Sequence, residues 1–195
     1  MKDGSGQSPL PSLRISRPTA ALARAQASWI AAIEPWLGLG YRPDALGRYL
    51  ARKARARGVW VVRARAKAPP LGIVVVDDGV LLGSFIALLA VRPEASGRGL
   101  GRALVAEVAA RTFATRRWLY VSCDGKNAAA LRFYRNLGFL RVGRLPDLVR
   151  QGRTEILLRK SAGKTSRKPA AKTAIKAGTK IPTAAARVGY HDGAS

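Results

Sequence analysis

The chain has 195 residues, of which 48% are hydrophobic and 24% charged, so one ordinary domain with a core can form. Its 35 lysines and arginines against 11 acids give a net charge of +24, which favours anionic partners. A single cysteine and a single histidine argue against a disulfide, a metal site and histidine-based catalysis. The longest apolar stretch is too short to span a bilayer and no secretory signal is visible, so we expect a cytoplasmic protein.

Strand and helix patterns alternate from residue 10 onward, which is typical of an α/β domain. Apolar residues at helical spacing predict helices over residues 20–33, 43–57 and 126–137, and another that begins near Leu100. Apolar and β-branched runs predict strands over residues 10–15, 59–66, 71–76, 80–91, 118–123, 139–142 and 155–158. The last two strands are expected to be antiparallel, and Asp77-Asp78-Gly79 predicts a hairpin turn before the long strand.

A glycine-rich turn separates the long strand from the helix near Leu100. Its glycines lack the Cβ atoms that would keep a pyrophosphate away from the backbone: Gly97, Gly99 and Gly101. Backbone N–H groups at a helix N-terminus bind anions, and Arg98 and Arg102 add positive charge. The spacing is not that of a Walker loop. It also lacks the third glycine of a dinucleotide fingerprint, which argues against a dinucleotide-dependent oxidoreductase, although Asp124 imitates the acid that binds ribose.

This turn resembles the acetyl-CoA-binding motif of the GCN5-related N-acetyltransferases (GNAT). Gly99 and Gly101 occupy its two glycine positions after a long strand, while Ser96 stands where the family has Gln or Arg. A second stretch, residues 127–139, has an Asn seven residues before Tyr134 and ends on Leu-Gly-Phe, as a second motif of the family does. The two motifs together are strong evidence for the resemblance.

The resemblance covers residues 10–159 and implies one GNAT-like α/β domain. The implied architecture is a mixed, mostly antiparallel central sheet flanked by helices. It implies an acetyl-CoA-dependent N-acetyltransferase in which an amine attacks the thioester directly. The acceptor, an amine on a small molecule or a protein, is not identified by the sequence.

The resemblance also implies a role for particular residues. Acetyl-CoA would lie between two separating parallel strands, residues 80–91 and 118–123, with its pantetheine bonded to the backbone of Leu89 and Val91. Its pyrophosphate would contact the turn and the start of the helix, at Gly97, Arg98, Gly99, Leu100, Gly101 and Arg102. Tyr134 would be the general acid that protonates the CoA thiolate, and Asn127 would contact the pantetheine or its neighbouring backbone.

The general base is left open by the sequence. The long strand contains no carboxylate, and the acids available elsewhere are Glu34, Glu94, Asp124, Asp147 and Glu155. Asp124 could instead cap the helix that follows it, Asp147 and Glu155 could attract a cationic acceptor, and a water chain could serve equally well. We interpret Cys123 as a small buried hydrophobe rather than an acyl carrier.

The C-terminal end differs in composition from the rest of the chain. Lysines recur at every fourth position from Lys160 to Lys180, interrupted by glycine and proline and without an apolar stripe. We therefore expect residues 160–195 to form a disordered basic tail, and residues 1–9 a disordered N-terminus. Such a tail predicts non-specific binding to nucleic acid or another polyanion. An alternative to the enzyme is thus a basic nucleic-acid-associated protein in which the fold is mainly a carrier.

Overall fold

The computed structural model describes residues 13–162, which form five α-helices and seven strands. The helices are α1 (Ala20–Arg24), α2 (Ala27–Ala31), α3 (Pro43–Arg55), α4 (Leu100–Thr115) and α5 (Ala128–Asn136). The strands are β1 (Arg14–Ser16), β2 (Val59–Arg63), β3 (Gly72–Val80), β4 (Gly83–Val91), β5 (Trp118–Asp124), β6 (Leu140–Pro146) and β7 (Thr154–Ser161). None of these helices combines the length and hydropathy that a bilayer crossing requires.

The strands form a single sheet in the order β1-β2-β3-β4-β5-β7-β6. Every neighbouring pair is antiparallel except β4 and β5, which are parallel and joined through α4. A crossover helix is the usual way to connect parallel neighbours. The prediction of a mixed, mostly antiparallel sheet flanked by helices is confirmed, and so is the antiparallel pairing of the last two strands.

Each face of the sheet carries its own apolar cluster. On the α4–α5 face, Leu104 and Val108 of α4 and Tyr134 of α5 pack on alternate strand residues such as Val121. On the α1–α3 face, Leu46 and Leu50 of α3 and Ile30 of α2 pack on the intervening residues of β2, β3 and β4. Because side chains alternate along a strand, neighbouring residues at the edge of the sheet face opposite sides of the molecule.

The helix predicted over residues 20–33 is two short helices. The side chain of Gln26 donates to the Leu22 carbonyl at 2.8 Å, and its backbone N–H donates instead to Ala23 at 3.1 Å. The continuous i to i−4 ladder is therefore interrupted where α1 ends. By contrast, α3 begins at Pro43 as predicted, where the missing N–H of proline costs nothing.

The hairpin turn predicted at Asp77-Asp78-Gly79 is wrong, because β3 continues to Val80 and the turn falls on Leu81 and Leu82, both at positive φ. Side-chain partners outside the Asp77-Asp78-Gly79 segment hold the two acids in the strand. Asp77 pairs with Lys53 of α3, and Asp78 accepts a hydrogen bond of 2.6 Å from the Ser84 hydroxyl. The strand after the turn accordingly begins at Gly83 rather than at residue 80.

The boundary of the predicted tail shifts by two residues. Lys160 and Ser161 belong to β7, where they pair with Leu119 and Trp118 of β5. The Lys160 ammonium also donates to the Leu137 carbonyl at 2.5 Å, next to the end of α5. The rest of the predicted tail and the predicted N-terminal segment lie outside the described residues.

Candidate functional site

The parallel strands β4 and β5 separate partway along their length. They pair only at Ser84–Leu119, Phe85–Tyr120 and Ile86–Val121. The register of β4 against β3 shifts at this point, and the extra residue is Ala87, which is exposed. A bulge bends the strand that carries it. The two strands therefore diverge after Ile86 and leave a gap that opens toward their carboxyl ends.

The backbone of β4 presents free hydrogen-bonding groups to this gap. The Arg92 N–H donates to Leu71 of the β3 side at 2.8 Å, and the bonds of an antiparallel pair alternate along the strand. Ala90 and Arg92 therefore direct their backbone groups toward β3, whereas Leu89 and Val91 direct theirs into the gap. These are the two residues expected to bond the pantetheine.

The glycine turn lies beyond the end of β4 and begins α4. Gly97 and Gly99 both have a φ of 76°, a conformation that favours glycine, and no atom lies within 4 Å of where their Cβ would be. The first helical bond runs from Ala103 to Gly99 at 2.9 Å, so the N–H groups of the first turn have no helical partner. Arg98 and Arg102 are exposed beside them.

The absence of a side chain at Gly101 has a different structural reason from its absence at the other two glycines. A Cβ at this helical position would lie 3.3 Å from the ring of Phe133 and 3.7 Å from the side chain of Val91. Its missing side chain lets α5 approach α4 closely. At Gly101 the missing Cβ thus serves helix packing, and the role of the three glycines in the approach of an anion stays a prediction.

Tyr134 reaches the gap from the α4–α5 face. Its ring is 6% exposed and makes edge-to-face contacts with Phe133 and Phe139 at 5.0 and 5.4 Å between centroids. Burial raises the pKa of the phenol above its ordinary value, and nearby Cys123 at the end of β5 adds to the shift. The hydroxyl has no hydrogen-bond partner among residues 13–162. Tyr134 is thus a protonated donor at neutral pH whose proton is uncommitted.

Asn127 forms the N-cap of α5. Its side-chain oxygen accepts a hydrogen bond of 2.9 Å from the Ala130 N–H, which satisfies one of the unpaired donors of the first turn. The cap therefore belongs to Asn127 and not to Asp124, whose carboxylate accepts from the Lys126 N–H at 2.7 Å in the preceding turn. Because the side-chain oxygen of Asn127 is engaged in the cap, the expected contact with pantetheine would be made by its amide nitrogen.

A carboxylate lies on the opposite face of the sheet, beside the end of β5. Glu155 of β7 is 8% exposed and pairs across the ladder with Asp124. Burial raises the pKa of Glu155, and the Asp124 charge raises it further, while the Ser122 hydrogen bond and Arg153 act in the other direction. Arg153 itself contacts Asp124 at 2.5 Å.

The other candidate bases do not share this environment. Glu34 accepts from the Gly38 N–H at 3.3 Å, Glu94 lies 3.7 Å from Arg92, and Asp147 accepts from the Gly152 N–H at 2.6 Å. All three are exposed. Of the five acids that the sequence offered, Glu155 is the buried one. Sequence reasoning did not single out Ser122, although the alternation of polar and apolar residues along β5 places it with Asp124, opposite Cys123.

Cys123 is half-buried at the end of β5, packed against the α4–α5 cluster. Burial raises its pKa to about 11, and the charges of Glu155 and Asp124 contribute. The neutral thiol is a poor nucleophile, since the thiolate is the reactive form. This agrees with its interpretation as a packing residue.

Comparisons with known proteins agree with this architecture. Residues 55–141 match the family model described as an acetyltransferase (GNAT) domain. No curated protein matches the chain. Similar solved structures include a GNAT-family protein from Desulfovibrio desulfuricans, at 24% identity over 77% of this chain and 99% of that one, with a TM-score of 0.59.

Two further solved structures share the fold at lower identity. Ard1 from Thermoplasma volcanium has 16% identity and a TM-score of 0.63, over 78% of this chain and 99% of its own. The ribosomal-protein-alanine N-acetyltransferase from Brucella melitensis has 21% identity and a TM-score of 0.60, over 76% and 99%. The matched family model over residues 55–141 and the shared fold support the resemblance to the GNAT superfamily of acetyltransferases.

Proposed function

We propose that this protein is an acetyl-CoA-dependent N-acetyltransferase whose donor and acceptor meet at the gap between β4 and β5 from opposite faces of the sheet. One observation carries the proposal. The phenol of Tyr134 lies on the α4–α5 face of the sheet, and the buried carboxylate of Glu155 lies on the other face, beside the end of β5. A transfer from a thioester to an amine needs a proton donor for the leaving thiolate and a proton acceptor for the amine.

The residues around the gap fit acetyl-CoA. The backbone groups of Leu89 and Val91 suit the amides of pantetheine, and the free N–H groups at the start of α4 suit a pyrophosphate. The open space at Gly97 and Gly99 allows an anion to approach the backbone, while Arg98 adds a charged donor. When bound, acetyl-CoA supplies a thioester carbon activated toward amines.

Tyr134 is proposed as the general acid. Its raised pKa keeps the phenol protonated at neutral pH, and its free hydroxyl can donate that proton to a thiolate sulfur. The proposal gives a function to a hydroxyl that lies in a largely apolar cluster without a protein partner.

Glu155 is proposed as the group that accepts the proton of the amine. Its raised pKa brings a carboxylate closer to the operating pH, where a base is most effective. Ser122 of the neighbouring strand β5 favours the ionised form of the carboxylate. The negative charge of the ionised form would also attract a cationic amine into a protein that is otherwise strongly basic.

The acceptor is proposed to be a primary amine that approaches from the α1–α3 face. The Brucella protein is named a ribosomal-protein-alanine N-acetyltransferase, so peptide amines belong in any search for the acceptor. Small polyamines and aminoglycosides test the other amine classes. Each acceptor is screened by following CoA release from acetyl-CoA.

Calorimetry of the full chain with acetyl-CoA and with NAD, side by side, tests the proposal directly. Saturable binding of acetyl-CoA with no response to NAD is the expected result. Binding of NAD without acetyl-CoA would contradict the proposal and favour the oxidoreductase that the glycine spacing argues against.

A further inference from the structure

A groove of about 500 Å³ runs between α1 and α3, on the side that faces away from the sheet. Its floor is formed by alanines, and its walls by four arginines. The lining residues are Ala20, Ala21, Arg24, Arg48, Ala51, Arg52 and Arg55. All four arginines are exposed, whereas their helix neighbours Ala23 and Leu50 are fully buried against the sheet.

The fold itself does not account for this concentration of charge. Among residues 13–162, none of the four arginines forms an ion pair or a side-chain hydrogen bond. Asp44 lies one turn before Arg48 and is not paired with it. Only Arg52 has a described side-chain contact, over the ring of Tyr49 at 5.7 Å. Four like charges around one groove repel each other, so an anion is the missing partner.

We propose that this α1–α3 arginine groove binds the phosphate backbone of a nucleic-acid strand. Arg48, Arg52 and Arg55 lie four and three residues apart, on one face of α3, and span about 10 Å at 1.5 Å per residue. Phosphates recur about every 3.4 Å along the axis for each strand of a duplex, so the groove faces about three of them. Guanidinium groups bind phosphate well because their paired donors match its oxygens.

The groove offers charge but no readout of sequence. Its other lining residues are alanines, which have no polar side-chain atoms to contact a base edge. Binding is therefore expected to be insensitive to sequence and strongly dependent on salt.

This site is separate from the proposed acetyl-CoA site and does not rest on it. The groove lies outside the α1–α3 layer, whereas the glycine turn begins α4 on the other face of the sheet. Loss of one kind of binding can thus be measured while the other is retained. The lysines of residues 163–195 are the same in every variant compared, so they cannot cause a difference between variants.

The test compares two pairs of substitutions in the full chain. Arg48→Ala with Arg55→Ala removes two guanidinium groups from the groove without weakening the helix, since alanine has the highest helix propensity. Arg65→Ala with Lys67→Ala removes the same charge from the exposed β2–β3 loop and is the matched control. Binding of fluorescein-labelled single-stranded RNA and of a DNA duplex is measured as a function of salt, with thermal melting followed by circular dichroism as the check of folding.

The groove pair is expected to lower affinity severalfold and to reduce the slope of log affinity against log salt by about 2, one for each lost phosphate contact. The control pair should change the affinity and the salt slope much less. Equal effects of the two pairs would overturn the proposal, because binding would then follow net charge alone. Displacement of the labelled strand by ATP at a similar concentration would also overturn it, since the groove would then take a small phosphate ligand.

Discussion

The two faces of the sheet meet at one gap but are built differently. On the α4–α5 face, the groups at the gap are backbone amides, a helix N-terminus and the neutral side chains of Tyr134 and Cys123. On the α1–α3 face, they are the charged and polar side chains of Glu155, Asp124 and Ser122. The contrast suits a constant donor recognised through the backbone, and an acceptor recognised by side chains that can differ between relatives.

The largest effect is expected from Tyr134→Phe, which removes only the hydroxyl on the donor face. Loss of a general acid should lower kcat by roughly 10²- to 10⁴-fold, with acetyl-CoA affinity nearly unchanged. Tyr120→Phe is the matched control, since its hydroxyl donates to the Leu81 carbonyl at 3.3 Å, where β4 and β5 are still paired. Full activity of the Tyr134 variant would assign this residue to packing.

Glu155→Gln tests the acceptor face and should lower kcat by about 10²-fold. Because burial raises the pKa of Glu155, activity of the unaltered protein should rise with pH through that raised value, and the variant should lose this step. Asp147→Asn, in an exposed loop, is the control. Equal loss in both variants would contradict a specific role for Glu155.

The same variant has a predicted effect on stability. A carboxyl whose pKa is raised in the folded state contributes stability below its unfolded pKa and loses it as pH rises through the folded pKa. Glutamine cannot ionise, so Glu155→Gln should melt at a higher temperature than the unaltered protein at neutral pH, with the difference vanishing in acid. Thermal melting across pH measures this, and a lower melting temperature at neutral pH would show that the ionised form stabilises the fold.

A smaller effect should distinguish two glycines of the donor face. Gly99→Ala places a Cβ at a φ of 76°, which lowers the free energy of unfolding by about 1–2 kcal/mol. The same Cβ narrows the approach of an anion to the backbone, so acetyl-CoA affinity should fall roughly tenfold. Gly101→Ala lies inside α4 and needs only a slight movement of the Phe133 ring at 3.3 Å. Calorimetry measures the acetyl-CoA affinity of both variants. An equal loss of affinity would show that the two glycines serve the same role.

The smallest effect is expected at Cys123. With a pKa of about 11, only about one thiol in a thousand is ionised at pH 8, so alkylation of the folded protein should be slow and should accelerate as pH rises. Cys123→Ala should keep activity within about twofold. Because the chain has one cysteine, modification is unambiguous by mass. Loss of most activity in this variant would point to an acyl carrier instead.

The donor face could be predicted from the sequence because its signals are local. The glycines of the turn precede their own helix, and Asn127 and Tyr134 are two turns apart on α5, so short motifs contain the whole pattern. The motifs did not predict that Phe133 packs against Gly101, because the two residues lie on different helices.

The acceptor face depends on contacts between distant segments. Glu155 differs from the exposed candidates Glu34, Glu94 and Asp147 through its pairing with β5, which lies 31 residues earlier at Asp124. The error at Asp77-Asp78-Gly79 has a related cause, since Lys53 of α3 and the cross-strand Ser84 hold both acids in β3 against their local preference for a turn. Partners outside the three residues thus overrode the turn preference at this position.

Hydrogen exchange at the backbone of β4 tests the central claim most directly. The N–H groups of Leu89 and Val91 point into the gap and have no strand partner there, so acetyl-CoA should protect them, together with the first turn of α4. Ala90, whose backbone groups point toward β3, should change little and serves as the internal reference. Protection of Leu89, Val91 and residues 97–102 is the predicted result. Unchanged exchange at these residues under saturating acetyl-CoA would contradict the placement of the donor between β4 and β5.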